Sequence, residues 1–319
     1  MSLAISVHTP SENLRGILAM LAAMGSLIVN DAFVKIAAAE LPTGQAIFLR
    51  GLLTTLLCAT LVLATVGAPA LALAGRPRVP ARACAEVAAT ILYLSALTRM
   101  PIADATAILQ FTPLAITAGA ALFLGAQVGW RRWLATTVGL IGVLIIVRPG
   151  GSGFNPYSLL ALAAIVFVAA RDLLTRGVGR EVPALVIAAT SAASVTLASL
   201  AFALFETWAW PTPSAVLVLV CAGVGLLGGN YWIVIAMRSG DIATVAPFRY
   251  SIILWAVAAG FIVWGEMPDP MSWLGIAIVT GAGLYTIMRE HRLVSRSRSS
   301  SHCAANVERT SRSKGHSQE

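Results

Sequence analysis

Short polar joints divide this chain into ten apolar blocks of roughly 18 to 25 residues, and that division limits the fold more than any motif does. A helix of such length crosses about 30 Å of hydrocarbon. Backbone polar groups inside lipid must be satisfied within the chain, so each block reads as a helix. The blocks are 14–37, 45–66, 82–98, 101–125, 131–148, 156–176, 183–205, 213–238, 241–264 and 272–289. Glycine or proline marks most joints, at Pro42, Pro69, Pro101, Gly129, Pro149, Pro183, Pro213, Gly240 and Pro268. The longest joint, 67–81, is a linker too short to hold a domain. The expected fold class is therefore an all-α integral membrane protein with ten transmembrane helices. Of its 319 residues 58% are hydrophobic and 11% charged. A soluble globular chain carries roughly 25% charged residues, so this one cannot clothe a water-facing surface.

Several function classes are disfavoured by what the blocks omit. The four cysteines, Cys58, Cys84, Cys221 and Cys303, show no paired spacing, and three of them fall in apolar blocks. His8, His291, His302 and His316 lie in the tails, so no span offers a histidine for metal binding or proton transfer. No glycine-lysine phosphate loop, zinc spacing or nucleophile elbow occurs, and no cofactor is expected. Residues 1–13 are short and polar and carry no cleavable-leader pattern.

The basic residues set an orientation. With both termini cytoplasmic, the inner segments hold Arg15, Arg76, Arg78, Arg82, Arg131, Arg132, Arg176, Arg180, Arg238 and every basic residue from Arg289 onward. The outer joints hold Arg99 and Arg148. The net charge of +8 thus reflects topology rather than nucleic-acid binding. Residues 290–319 turn polar and Ser/Arg-rich, and read as a disordered basic tail able to rest on anionic headgroups. Membrane lipid, a small-molecule substrate and a second copy of the chain are the candidate partners.

The halves resemble each other at a shift of about 140 residues. Ala96 matches Ala236, Ile102 matches Ile242, Ala103 matches Ala243, Gly125 matches Gly265, and Trp133-Leu134 matches Trp273-Leu274. One further step aligns Asp31 with Asp172 and Lys35 with Arg176. Five helices is an odd number, so the second copy must insert upside down. The expected units are 14–148 and 156–289, two inverted repeats. Such symmetry gives one fold two near-equal states and argues for alternating access over a static channel or an enzyme.

Charges within the spans are costly, by roughly 2.5–3.5 kcal/mol on insertion scales, and should face a cavity or a partner. Asn30, Asp31 and Lys35 lie on the first helix. Asp31 and Lys35 are four apart and can pair, so lining or gating of a solute path and plain structural pairing are both open. Arg50 is a counterion for the Asp31 region or an interface anchor. Glu86 is expected to pair with Arg82, and Asp104 to cap its helix. Arg171 and Asp172 lie near the inner end of the sixth helix, where Asp172 and Arg176 repeat the four-residue spacing; the two pairs are candidates for an outer and an inner gate. Arg249, flanked by Phe248 and Tyr250 after Pro247, sits about 12 Å into its helix. It is read as lining a cavity, or as a partner for Asp31 or Asp172. Gln110 and Phe111, just before Pro113, hold the aligned place in the first half, so each half carries a proline-interrupted polar patch. Gly223, Gly225, Gly228 and Gly229 suit close helix packing, and Asn230, Tyr231 and Trp232 beyond them offer bonding and stacking faces to a solute.

The stretch from Leu14 to Glu290 resembles the drug/metabolite transporter superfamily, in its branch of paired EamA-type domains. The likeness lies in Asn30-Asp31-x3-Lys35, Ile102-Ala-Asp-Ala-Thr-Ala followed by Phe111-Thr-Pro113, Trp130-Arg-Arg-Trp133, Gly139-x2-Gly142 through Arg148-Pro149, Phe154-Asn-Pro156, and Ala246-Pro-Phe-Arg-Tyr250. Their order and spacing carry more weight than any single piece. The resemblance implies ten helices, cytoplasmic termini in a bacterial inner membrane, and solute movement without ATP hydrolysis. That family usually has a glutamate after the glycine ending the fourth helix; here Gly125 is followed by Ala126-Gln127, while the second half keeps Gly265-Glu266. Within the branch the chain is similar to importers of cofactor-like metabolites such as riboflavin and S-adenosylmethionine. Riboflavin uptake is the function expected, with the aromatic residues able to stack on a flat ring; the alternatives are S-adenosylmethionine, amino-acid or drug transport in either direction, or a membrane-embedded enzyme or non-transporting interaction protein.

Overall fold

The computed structural model describes residues 10–76, 78–124, 129–149, 154–179, 181–239 and 242–289. Among them there are helices and turns and no strand. The helices are α1 (Pro10–Glu40), α2 (Thr43–Thr65), α3 (Val79–Leu97), α4 (Ile102–Leu109), α5 (Thr112–Leu124), α6 (Trp130–Val147), α7 (Tyr157–Arg176), α8 (Ala184–Ala203), α9 (Pro213–Ser239), α10 (Ile242–Val245) and α11 (Ser251–Trp264). A last helix, α12 (Pro270–Arg289), follows. Taking α4 with α5 and α10 with α11 gives the ten expected spans. Eight are long and apolar enough to cross a bilayer, and Trp133–Val147 within α6 is a shorter apolar helix. The remaining span, α3, has Arg82 and Glu86 in its first half.

Proline accounts for the two interrupted spans. Pro113 has no N–H for the Leu109 carbonyl, and the Thr112 hydroxyl donates to that oxygen instead, at 2.6 Å. The chain turns at Gln110–Phe111 as a result, with Phe111 N–H bonding Ile108 O. In the second half Pro247 stands inside Ala246–Tyr250, which tightens to a 3-10 turn between α10 and α11.

Direction of travel is fixed by contacts across the halves. Asn155, just before α7, donates to Arg99 O at 3.0 Å, and Arg148, after α6, pairs with Asp269. The end of the bundle holding these residues, with Glu40, Glu206 and Glu266, is the acidic end. At the opposite, basic end Arg78 donates to Gly177 O at 2.7 Å and Arg82 to Thr175 Oγ1 at 2.8 Å. Helix α1 therefore runs from basic to acidic end while its repeat mate α7 runs from acidic to basic. The second half is the first turned over.

Packing repeats the same relation. Helix α1 lies along α9, and α7 along α3; α2 faces α8; the α4–α5 span meets α7 as the α10–α11 span meets α1. Each of these helix pairings between halves has its mirror or is its own mirror. Small residues permit the closest approach. A Cβ on Gly225 would lie 3.0 Å from Ser26 O and 3.1 Å from Asn30 N, and one on Gly229 would lie 3.3 Å from Ala23 O. The positions matching Gly225 and Gly229 at the repeat shift are Ala85 and Ala89, both buried on α3. Gly142 on α6 and Gly275 on α12 close the pair of fifth spans, a Cβ on Gly142 lying 3.1 Å from Gly275 O.

Candidate functional site

Two polar clusters sit inside the apolar bundle, at places the repeat relates. The first joins α1, α2 and α3. Asn30 and Arg50 are buried, at 3% and 6% exposure. Arg50 Nη1 donates to Asn30 Oδ1 at 3.0 Å, Asn30 Nδ2 donates to Asp31 Oδ1 at 2.8 Å, and the Tyr93 hydroxyl donates to Asp31 Oδ2 at 2.9 Å. Cation and carboxylate thus stand apart, bridged by one amide. Arg50 Nε is buried with no acceptor. A buried guanidinium that leaves a donor unused is costly in an apolar interior, so this cluster holds charge that packing alone does not require.

The second cluster joins α3 and α7 across the halves. Glu86 accepts from Arg171 Nη1 at 3.0 Å and pairs with Arg82 Nη2 at 3.4 Å, as expected for Arg82 with Arg171 added. Arg171 Nε also reaches Asp172 Oδ1 at 2.8 Å. Arg82 further donates to Ser191 Oγ on α8. Two carboxylates and two guanidiniums alternate here, so each charge has an opposite neighbour.

A third set of contacts closes the acidic end. Lys35 Nζ bonds Glu266 Oε1 at 3.1 Å and Met100 O at 2.9 Å, and lies 4.6 Å from the centre of the Trp264 ring. The expected Asp31–Lys35 pair does not form: Lys35 turns toward the turns after α3 and α11, and Asp31 is taken by Asn30 and Tyr93. The Glu206 carboxylate accepts the N–H groups of Gly44 and Gln45 at the start of α2, where a helix favours an anion. Gln45 and Ala209 exchange two hydrogen bonds, at 2.6 and 3.1 Å. In the joint before α12, Asp269 is held below the usual carboxylate range, first by the hydrogen bond from Arg148 and then by the Ser272 N–H.

The other expected site residues fall in different surroundings. Gln110 and Phe111 occupy the break between α4 and α5; Phe111 is in the main core and Gln110 is half-buried. Tyr250 is buried with its hydroxyl unpartnered, fitted against Gly283, where a Cβ would collide with it. Phe248 and Arg249 are exposed, and among the described residues Arg249 bonds neither Asp31 nor Asp172. Asn230 is exposed and donates to Leu226 O one turn back. Tyr231 and Trp232, 62% and 39% exposed, line a lateral groove of about 660 Å³ with Arg15, Leu14 and Leu18 of α1. They stand apart from both clusters. The Arg176 side chain and the tail 290–319 lie outside the described residues. Tyr93 was not anticipated; a hydroxyl-bearing ring within an apolar block was its one signal. Among the described residues no three His, Cys, Asp or Glu side chains gather into a group able to hold a metal.

The molecule is a multi-pass membrane protein of two inverted helical repeats, with one charged cluster inside the first repeat and another joining the two. Comparison with known proteins narrows that class. The model of the EamA-like transporter family matches residues 14–148 and again 155–288. The chain belongs to the EamA-like transporter family. It is 31% identical over 201 residues to a riboflavin transporter of Rhizobium johnstonii, covering 63% of this chain and 66% of that one. It is 27% identical over 202 residues to an S-adenosylmethionine uptake transporter of Rickettsia felis, covering 63% of this chain and 68% of the other. A pseudopaline exporter of Pseudomonas aeruginosa is 27% identical over 276 residues, covering 84% of this chain and 94% of its own. The matched stretch thus spans just under two thirds of the riboflavin transporter. A solved structure described only as the crystal structure of a protein superposes with a TM-score of 0.59 at 24% identity, over 89% of this chain and 98% of its own; it shares the fold.

Proposed function

We propose that this protein is a secondary carrier that moves a small organic metabolite across a bacterial inner membrane by alternating access, with riboflavin the first solute to test. The observation that carries the reading is the reciprocal packing of the halves. A bundle whose main helix pairings between halves are mirrored has a second arrangement of similar energy, made by exchanging the two halves' conformations. The units 14–148 and 156–289 are the two moving halves. The basic end, with Arg15, Arg78, Arg82 and Arg131, faces the cytoplasm by the distribution of basic residues. Asn30, Asp31 and Arg50, steadied by Tyr93, and Arg171 with Asp172 are the polar groups that meet the solute or gate its path. The broken spans supply Gln110 and Phe111 from one half and Phe248 and Arg249 from the other. No phosphate-binding loop is needed, since the solute gradient or a coupled ion drives the cycle.

Counterflow in proteoliposomes tests this directly. Vesicles loaded with unlabelled riboflavin should accumulate labelled riboflavin transiently, and vesicles loaded with S-adenosylmethionine serve as the second arm. Absence of trans-stimulated flux with these and a broad metabolite panel would overturn the carrier reading. Export is the second reading, favoured by the match along 94% of the pseudopaline exporter. A riboflavin auxotroph separates the directions: rescue at low vitamin supply supports uptake, and riboflavin counterflow without rescue supports export.

A further inference from the structure

We propose that Lys35 and Glu266 form the latch that shuts the acidic end of the bundle, and that their separation exposes the interior on that side. The pair crosses the two halves, with Lys35 on α1 and Glu266 in the turn between α11 and α12. It is placed to control movement rather than to decorate a surface. The Lys35 side chain is 9% exposed and that of Glu266 33%. The ammonium holds three joints at once: the Glu266 carboxylate, the Met100 carbonyl in the turn after α3, and the face of Trp264 at the end of α11. Gly265, at φ 66°, turns the chain sharply so that Glu266 points back over α1, and Glu266 N–H bonds Gly260 O to fix that turn. Met100, whose carbonyl takes the Lys35 ammonium, is 5% exposed.

The repeat gives the argument its second leg. Lys35 matches Arg176 and Gly265 matches Gly125, so the residue matching Glu266 is Ala126. The sequence therefore writes the acid of this pair once in two copies. Symmetry makes the two arrangements of the halves near-equal, and an ion pair present in only one of them favours that one. The latch thus biases the cycle toward the conformer closed at the acidic end. The consequence for flux rests on the carrier reading, but the latch itself is read without any solute.

The test is cysteine accessibility in full-length protein with Cys58, Cys84, Cys221 and Cys303 replaced by alanine. Met100→Cys reports the acidic end and Ser191→Cys the basic end, each labelled with a membrane-impermeant maleimide from its own side. Glu266→Gln and Lys35→Met should each label Met100→Cys about tenfold faster, with Ser191→Cys no faster. The exchanged pair, Lys35→Glu with Glu266→Lys, should return the rate most of the way to that of the parent. An unchanged Met100→Cys rate in both single variants overturns the latch. So does acceleration at both reporters, which marks general loosening, and so does failure of the exchanged pair to slow labelling. If labelling follows this pattern but no solute shows counterflow, the latch stands and the carrier reading falls.

Discussion

The two polar clusters descend from matching places in the repeat, Asp31 with Asp172, yet they are built differently. Around Asp31 every partner belongs to the first half, an amide separates cation from carboxylate, and Arg50 keeps an unused donor. Around Asp172 the partners come from both halves and alternate in sign through Glu86, Arg82 and Arg171. The second arrangement neutralises itself and ties α3 to α7. The first holds charge in reserve beside a close helix contact, that of Gly225 on Ser26 and Asn30. On the proposed reading the first cluster meets the solute, and the second, while gating the path, also ties the halves together.

Removing a charge from each cluster should therefore have unequal effects. Asp31→Ala leaves the buried Arg50 uncompensated and should cost about 3 kcal/mol, read as a lower melting temperature in detergent, with counterflow abolished. The comparison fails if Asp31→Ala melts like the parent. Gly225→Val pushes a side chain against the Ser26 carbonyl and Asn30 N–H and should cost about 2 kcal/mol, with flux reduced through displacement of Asn30. Glu86→Gln leaves Arg82 and Arg171 facing each other; the groups are partly exposed, so about 1 kcal/mol is expected, larger at low salt. A loss independent of salt would argue that the second cluster is not electrostatic in origin. The smallest effect belongs to Asp269→Asn at the acidic end. Because its folded-state carboxyl lies below 3.8, the group stabilises the folded chain above that pH and loses its contribution as pH falls through the lowered value. The small melting difference between parent and Asp269→Asn should hold from pH 7 to about pH 4 and shrink below it.

How much of this is legible in the sequence follows from which interactions are local. The spans and their proline breaks were readable because each depends on the composition of one short stretch: Pro113 forces the break at Gln110, wherever the rest of the chain goes. Lys35 was assigned to Asp31 because the four-residue rule sees only one helix. Its actual partner is 231 residues away, and no local signal distinguishes the two. Tyr231 and Trp232 lie outside both clusters because of how far along α9 they stand. Gly225 and Gly229 define the face of α9 that meets α1; Tyr231, two steps beyond Gly229, turns about 200° from it, while Trp232, three steps beyond, returns to within about 60°. Helical phase alone thus sends the Tyr231 ring away from the glycine stripe and keeps Trp232 beside α1, in the groove with Leu14 and Leu18. Tyr93 was missed because its role depends on how α3 meets α1, a contact that only tertiary packing settles.

The account stands on the second half being the first turned over, and labelling of matched positions tests it most directly. Glu40 at the end of α1 and Glu181 after α7 occupy equivalent places in the two copies, one at each end of the bundle. In the cysteine-free chain expressed in intact cells, Glu40→Cys should react with an impermeant maleimide at once, and Glu181→Cys only after the membrane is opened. Reaction of both from the same side would show two copies inserted the same way round, and the rocking of inverted halves would be lost.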